Sequence, residues 1–310
     1  MKYQLYQFVF SSGVHFGNGS LDHTSYSFCA DTLFSALCQE ALKLGEEILE
    51  TIVRYVEEGS LLLSDAFPFI EEEYFLPKPI LHIDAGKDRG DSTVKKAYKK
   101  LKYIPVSSFH DYLHGNLLPE ETDWLDNLGD YQMKVSAAVR GEDETMPYRI
   151  ETFQFQKGNG LYIICGYVDE KRKILLDELL EMLTLNGIGG RRSSGLGKFT
   201  CRAVKMPPLL ERWLSVDGSL YMTLSVSLPR EDEMEKVLEG GNYLIQKRSG
   251  FVASDRYAPE WMRKKDAYVF SAGSCFRTKY KGQLMDVSSS GAHPVYRYAK
   301  PVFLGIKMEK

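Results

Sequence analysis

The chain has 310 residues, of which 44% are hydrophobic and 26% charged, and its net charge is −3. A chain of this length can bury a substantial core and suggests two domains. It contains no run of about 18 apolar residues that could span a membrane, and its first residues show no signal-peptide pattern, so we expect a cytoplasmic protein. Its five cysteines are scattered, which indicates reduced, mostly buried thiols and no zinc site.

The small net charge hides three charged segments. Residues 46–73 contain nine acids and one arginine, residues 95–102 contain five lysines and no acid, and residues 187–205 contain five basic residues and no acid. A nucleic-acid-binding protein need not be basic overall if its basic residues share one face. The acidic segment predicts a solvated face or, alternatively, a surface for a basic partner subunit.

The N-terminal part of the chain predicts two strands that flank two helices. Aromatic and β-branched residues alternate over 3–10, as in a strand. Asp31 or Thr32 can cap a helix whose apolar residues then recur at helical spacing. A second amphipathic helix is predicted over 46–57, and a short buried strand over 61–63.

The middle of the chain, from about residue 67 to 150, predicts an insertion. Five prolines between Phe67 and Pro119 favour an insertion or a partner-clasping loop over a domain. Residues 133–150 predict a projecting hairpin with a glycine-containing tip. Two strand-like segments, 151–156 and 161–168, are separated by a glycine turn and predict a strand–turn–strand unit.

The remaining elements complete two predicted domains. Leucines at helical spacing over 176–183 predict a helix, and a strand follows at 198–204. Without the insertion this order is β-α-β-β-α-β, which is ferredoxin-like. We therefore predict an α+β protein with a ferredoxin-like domain over 1–206. After Pro207-Pro208, a β-rich domain follows over 207–310, which we expect to be ferredoxin-like (RRM-like) as well. Its predicted strands are 219–228, 242–252, 267–276 and 302–307, with a helix at 231–238.

A glycine-rich loop over 187–199 is the strongest functional signal. Five glycines fall within eleven residues, with arginines, serines and a lysine between them. Glycine permits positive φ, exposed amides can form an anion-binding nest, and Arg and Ser can reach phosphate oxygens. The loop therefore predicts an extended polyanion as ligand; the alternative is a long helix-capping loop with no ligand.

Two familiar phosphate motifs do not fit this loop. A Walker loop ending at Lys198 and a dinucleotide fingerprint starting at Gly187 both need glycine at the position of Arg192. Both motifs also follow a strand, whereas this loop follows a predicted helix. A protein that binds a small nucleotide is thereby disfavoured.

Four stretches resemble one family of CRISPR proteins. They are residues 14–17, 30–37, 187–199, and 293–298 with 303–305. The loop is similar to the signature of the RAMP superfamily, a glycine-rich loop after the second helix of a ferredoxin-like domain. The combination and order of all four resemble subunit four of the type III-A (Csm) effector complex. This resemblance covers nearly the whole chain.

The resemblance implies a non-catalytic ribonucleoprotein subunit in antiviral defence, with no cofactor and no metal. Such subunits hold the 5′ repeat-derived tag of the crRNA, contact the large polymerase-like subunit and a backbone subunit, and wedge a thumb hairpin into the guide–target duplex. The expected RNA-binding residues are His15, Phe16, Gly187, Gly189, Gly190, Arg191, Arg192, Ser193, Ser194, Gly195, Gly197, Lys198, Arg248 and Ser249. The thumb candidates are Met133, Lys134, Arg140, Met146 and Arg149.

Bound single-stranded RNA also needs platforms for splayed bases. His15 and Phe16 follow the first strand, near the expected position of the loop, although His15 is equally well explained as a structural loop residue. The lysines of 95–102 either track RNA or only solvate the insertion. Tyr98 and Tyr103 lie among and beside these lysines and could stack on bases.

An alternative is a RAMP-type endoribonuclease that processes CRISPR repeat RNA. Metal-free cleavage needs a general base and acid around a 2′-hydroxyl, and His15, His23 and Tyr26 are the candidates. Backbone subunits of these complexes use an aspartate, for which only Asp22 and Asp31 qualify, and Asp31 is better explained as a helix cap.

One histidine pair could bind a metal. His110 and His114 are spaced i, i+4, which would suit a metal on a helix, but no third ligand follows and the neighbouring Gly115 favours a loop.

Overall fold

The computed structural model of the chain describes residues 1–17, 19–83, 96, 98–117, 123–138, 146–254 and 256–307. The α-helices with defined bounds are α1 (Ala30–Leu44), α2 (Glu46–Glu57), α3 (Phe109–Leu113), α4 (Glu170–Asn186), α5 (Pro208–Ser215) and α6 (Glu231–Leu238). The strands before α5 are β1 (Lys2–Phe10), β2 (Phe16–Gly17), β3 (Thr24–Ser25), β4 (Leu61–Leu63), β5 (Phe67–Ile70), β6 (Glu73–Pro77), β7 (Tyr103–Pro105), β8 (Gly129–Ala138), β9 (Met146–Phe155), β10 (Asn159–Tyr167) and β11 (Phe199–Val204). The strands after α5 are β12 (Leu220–Thr223), β13 (Ile245–Arg248), β14 (Ala267–Phe270), β15 (Cys275–Phe276), β16 (Gln283–Asp286), β17 (Tyr296–Ala299) and β18 (Phe303–Ile306). No helix within these ranges is long and apolar enough to cross a membrane.

A seven-stranded antiparallel sheet organises the first half of the chain, which runs from β1 to β11. Its strand order is β11-β1-β10-β5-β6-β7, and β4 also pairs with β10. All nine residues of β10 are buried, because both faces of the sheet are covered. Tyr6 and Phe8 of β1 pack in the cluster that contains the leucines of α1 and α4, whereas Leu5 packs with residues of the second half.

Several predicted elements are confirmed. The second helix spans 46–57 as predicted, and the short strand at 61–63 and the helix at 231–238 form with the predicted bounds. The leucines of α4 are buried as predicted, since their spacing places them on one face of the helix. Helix α5 was not predicted, although a proline at its first helical position is a recognised start signal.

The strand–turn–strand unit predicted over 151–168 forms both of its strands, but they do not make a hairpin. Strands β9 and β10 form around a turn at Gly158 (φ +93°), but they do not pair with each other. Instead β9 pairs with β8 along its whole length, and β10 pairs with β1 on one side and with β4 and β5 on the other. The turn at Gly158 therefore takes the chain from the β8–β9 sheet into the large sheet and does not close a hairpin.

Strands β8 and β9 form a separate two-stranded ribbon of ten residues each. Its register runs from Gly129 opposite Phe155 to Ala138 opposite Met146. An antiparallel bridge between Val14 and Phe153 ties the base of the ribbon to the first half. The expected tip, with Arg140, lies outside the described residues. The segment predicted as an insertion also begins with β5 and β6, which extend the large sheet.

The second half of the chain, from α5 onwards, contains smaller antiparallel sheets. They are β15-β12-β18, β13-β14 and β16-β17. The long strands predicted over 219–228 and 267–276 are shorter in the structure, where β12 ends at Thr223 and β14 ends at Phe270. Isolated bridges also pair Ser227 with Phe270 and Asn242 with Cys275.

Two buried aspartates, Asp31 in the first turn of α1 and Asp65 after β4, join the halves. The predicted cap by Asp31 or Thr32 is wrong, because the N-cap is Cys29 and makes no side-chain cap hydrogen bond. The Asp31 carboxylate instead accepts hydrogen bonds from Arg248 (2.7 and 3.0 Å) and Arg297 (2.7 Å) of the second half. One oxygen of Asp65 accepts the N–H groups of Ala30 (2.8 Å) and Val226 (3.0 Å).

The pKa values of the two carboxyl groups are shifted in opposite directions. Burial raises the pKa of Asp65 to about 7, well above its ordinary value of 3.8. Burial also opposes ionisation of Asp31, but Arg248 and Arg297 outweigh it and lower the pKa of that carboxyl. The stability from Asp65 is therefore present in full at acidic pH and is lost as pH rises through 7, whereas the stability from Asp31 is lost on acidification.

We expect Asp65→Asn to remove one component of the pH dependence of stability. The amide keeps an oxygen for the N–H groups of Ala30 and Val226 but cannot ionise. Thermal unfolding midpoints of both proteins, measured from about pH 5 to about pH 8, should fall more steeply with rising pH in the wild type. Parallel curves would show that Asp65 does not titrate in this range.

Candidate nucleic-acid interface

The glycine loop is closed at its base by glycine-specific contacts. Helix α4 ends at Gly187 (φ +73°), and the neighbouring Ile188 N–H donates to the carbonyl oxygen of Gly197 at 3.0 Å. A Cβ atom on Gly197 (φ +72°) would lie 2.0 Å from the carbonyl oxygen of Ile188. No side chain fits there, so the sequence needs glycine for the two ends of the loop to meet.

The apex of the loop presents backbone donors to solvent. Arg191 has a left-handed backbone (φ +58°), residues 192–194 form one 3-10 turn, and Gly195 returns to the left-handed region (φ +84°). Within the described part of the chain, no acceptor is bonded to the amides of residues 191–193. Ser193 and Ser194 are exposed beside them. Successive free amides after a left-handed residue form a nest suited to a phosphate or another anion.

Two arginines flank this nest and are held by neighbouring elements. The Arg191 guanidinium lies over the ring of Tyr148 on β9, 5.1 Å from its centroid. Arg192 donates from Nη2 to Gln39 on α1 at 3.3 Å. A guanidinium carries five N–H donors, so each side chain keeps donors for phosphate oxygens. Tyr148 was missed in the sequence, where nothing links it to the loop.

His15 and Phe16 support the loop from below. His15 is 4% exposed and Phe16 7%, and His15 Nδ1 lies 2.8 Å from the carbonyl oxygen of Glu151. The carbonyl of His15 accepts the N–H of Gly190 (2.8 Å), and a Cβ on Gly189 would lie 3.0 Å from the Phe16 ring. The prediction that these rings offer open faces to bases does not hold, because the loop and the core cover them.

Of the two residues predicted to contact RNA in the second half, one is engaged by other side chains and the other is exposed. Arg248 is engaged by Asp31 and also donates to Thr32 at 3.2 Å. Ser249 is exposed, as is Phe251 at 44%. Trp261, which packs edge-on against Phe251 and is 86% exposed, was missed in the sequence.

The thumb candidates lie on the β8–β9 ribbon. Met133 is half exposed, and Lys134 and Arg149 are exposed. Tyr131 and Val135 share the face of Met133 at alternate positions and are also exposed. Met146 begins β9, and Arg140 lies outside the described residues.

The residues considered for RNA cleavage are not joined by hydrogen bonds within the described ranges. His15 is buried, His23 is exposed and pairs with Asp22 at 3.2 Å, and burial raises the pKa of Tyr26. No hydrogen bond joins any two of the three candidates in the described ranges. Asp31 is held between two arginines, as described above.

The other candidate groups are placed as follows. The rings of His110 and His114 stack 4.3 Å apart on the surface, and among the described residues no three His, Cys, Asp or Glu side chains are grouped to hold a metal. Tyr98 is 8% exposed and stacks on Tyr112, so the suggestion that it stacks on bases is wrong. Lys96, Lys99, Lys100 and Lys102 are exposed.

Comparisons with known proteins agree with the resemblance. Residues 216–306 match the family model of the CRISPR Csm4 C-terminal domain. A CRISPR Csm4 protein from Mycobacterium tuberculosis (strain H37Rv) is 37% identical over 308 residues, covering 99% of this chain and 98% of the relative. One from Streptococcus thermophilus is 34% identical over 317 residues, covering 99% and 100%.

Two solved structures show the same fold. The Csm3–Csm4 subcomplex of a type III-A CRISPR-Cas interference complex contains a chain with a TM-score of 0.68 at 18% identity, covering 99% of both chains. A Csm1–Csm4 cassette in complex with cA4 gives 0.63 at 17% identity over 100% of both. The relatives and the fold place the chain among proteins of CRISPR systems. More narrowly, it belongs to the Csm4 family.

The loop geometry predicts different costs for two glycines. Gly197→Ala should lower the free energy of unfolding by about 2 kcal/mol or more, because it adds a backbone clash to a left-handed conformation. Gly195→Ala is the matched control: its φ is also positive, but nothing lies within 4 Å of the added Cβ. It should cost about 1 kcal/mol. Urea unfolding measures both, and equal costs would contradict the closed loop base.

Proposed function

We propose that the chain is a non-catalytic RNA-binding subunit of a type III-A effector complex and holds the 5′ repeat-derived tag of the crRNA. The observation that carries this proposal is the apex of the glycine loop. The apex carries the amides of 191–193, which have no bonded acceptor in the described ranges, two exposed serines and two arginines, and residues 187–205 contain no acid. Phosphate is the ligand that such a group of donors binds best.

We also infer that both halves are ferredoxin-like. In the first half, the strands β1, β4 with β5, β10 and β11 and the helices α1 and α4 follow the order β-α-β-β-α-β. The antiparallel order β11-β1-β10-β5 supports this assignment. In the second half, β12 pairs with both β15 and β18, and α6 follows β12 in the chain, which supports a smaller version of the same fold.

The partners follow from the relatives. Solved complexes pair Csm4 proteins with Csm3 and with Csm1. We propose that this chain joins a large polymerase-like subunit to backbone subunits in the cytoplasm. The β8–β9 ribbon supports a thumb role toward the guide–target duplex, because it is a separate sheet and carries exposed Met133 and Val135, whose apolar side chains could wedge between bases.

A RAMP-type endoribonuclease is the alternative function. It requires a base and an acid placed around one 2′-hydroxyl. His15 is buried and no hydrogen bond joins His15, His23 and Tyr26 within the described ranges, which favours the binding role. The same RNA assay decides between the two.

Arg191→Glu combined with Arg192→Glu should weaken binding of repeat-derived RNA by several kcal/mol, because two attractive phosphate contacts become repulsive. The slope of log Kd against log salt should also become shallower. Gel shifts with 5′-labelled RNA at several salt concentrations measure both. Lys171→Glu with Lys236→Glu makes the same charge change at exposed positions on α4 and α6 and should have a small effect.

Cleavage is followed in the same reactions, with and without Mg²⁺. Binding without product supports the proposed role. A specific product that disappears in His15→Ala would make the chain a nuclease. If the arginine variant and the lysine control have the same affinity and the same salt slope, the glycine loop is only a structural element.

A further inference from the structure

A large cleft lies between the two halves, away from the glycine loop. It has a volume of about 970 Å³ and is lined by the β3–α1 connection, the β6 end, the strand β7 and the start of β13. A hydrogen bond from the Ile80 N–H to the carbonyl of Gly273 (2.8 Å) fixes one wall to the second half. Nothing in the glycine-loop function uses this space.

Three tyrosines supply aromatic walls to the cleft. The rings of Tyr26 and Tyr103 are 6.1 Å apart, and Phe153 holds Tyr26 (5.4 Å) and Tyr131 (4.9 Å) from behind. Tyr131 is 52% exposed, so part of its ring is free. Burial raises the pKa of all three phenols, which therefore stay protonated and can donate hydrogen bonds.

The charge of the cleft is positive. Lys78, Lys99 and Lys102 line it together with His82, and the single acid among the lining residues is Asp65. Lys99 and Lys102 are exposed and form no ion pair within the described part of the chain. Asp65 is buried behind its two backbone hydrogen bonds, and the pKa raised to about 7 reduces its negative charge.

Neutral amides complete the lining on the side of the second half. Asn242 is held by its backbone N–H, which donates to Cys275 at 2.8 Å, and its side chain lies at the surface. Gln246 contacts Cys29 at 4.0 Å and also lines the cleft. A carboxamide offers both a donor and an acceptor, which suits the edge of a nucleobase.

We propose that this cleft binds one or two unstacked nucleotides of single-stranded RNA, with bases against the tyrosines and phosphates at Lys99 and Lys102. Aromatic walls, neutral amides and a cationic rim are the features by which proteins hold splayed bases. Duplex RNA, whose bases are stacked, does not fit. This inference rests on the proposed RNA-binding function but concerns a site distinct from the glycine loop.

The β8–β9 ribbon contacts both the glycine loop and the cleft. Tyr148, under Arg191, and Phe153, behind Tyr131, lie five residues apart on β9, about 17 Å along a strand. Because residues an odd number apart point to opposite faces of a strand, the two contacts lie on opposite faces of β9, and the loop and the cleft are separate sites.

The test uses the full chain and a repeat-derived single-stranded RNA with one 2-aminopurine, at a different position in each probe. We expect fluorescence quenching at one or two neighbouring positions. Quenching should be lost in Tyr131→Ala and kept in Tyr131→Phe, which retains the ring and its contact with Phe153. The same RNA annealed to its complement should show no protein-induced quenching.

Charge is tested separately, because Tyr131→Ala could alter the ribbon. Lys99→Glu with Lys102→Glu should raise the Kd by about tenfold or more, with an unchanged thermal midpoint since both side chains are exposed. Lys171→Glu with Lys236→Glu is again the matched control. Crosslinks from 4-thiouridine RNA, mapped by mass spectrometry, should fall on the cleft tyrosines.

Three results would overturn the proposal. If RNA binding depends on Arg191 and Arg192 but the cleft variants match the control and no probe is quenched, the cleft site fails and the loop function stands. If AMP alone occupies the cleft and RNA does not, the cleft is a mononucleotide pocket. If the wild-type chain binds no RNA, the proposed function fails together with the cleft site.

Discussion

The buried carboxylate of Asp31 is the interaction on which the arrangement of the two halves depends. It is 6% exposed and bonded to Arg248 and Arg297, which come from two different sheets of the second half. A buried carboxylate without such partners would be strongly unfavourable, so the helix that carries it stays docked only while both arginines are in place. Asp65 adds a second contact by joining two backbone amides across the same boundary.

This docking places the features that we propose to contact RNA on one framework. Helix α1 starts at the ion cluster and reaches Gln39, which holds Arg192 of the glycine loop. The loop rests on His15 and touches the β8–β9 ribbon through Tyr148. Asp65 also lines the cleft between the halves, so the same contacts help to fix its walls. Loop, ribbon and cleft are thus linked through shared elements and are not independent motifs.

Much of the candidate site was predictable because its requirement is local. Positive φ at Gly187, Gly195 and Gly197 follows from the glycine pattern itself, and the amides it exposes need no distant partner. The burial of the Phe16 ring was not predicted, and that of His15 was left open, because burial depends on what packs above a side chain. Tyr148 and the cleft tyrosines were missed or left undecided for the same reason: their neighbours lie far away in the sequence.

The sequence by itself determined the helices α2, α4 and α6, the buried strand β10 and the glycine loop, because each is specified by periodicity or by a backbone angle that only near neighbours influence. Only the tertiary structure decided which strands pair, that Asp31 is an ion-pair centre and not a cap, and that a cleft lies between the halves. Asp31 and Arg297 are 266 residues apart. No pattern within a segment encodes such a contact, since it arises from the packing free energy of the whole chain.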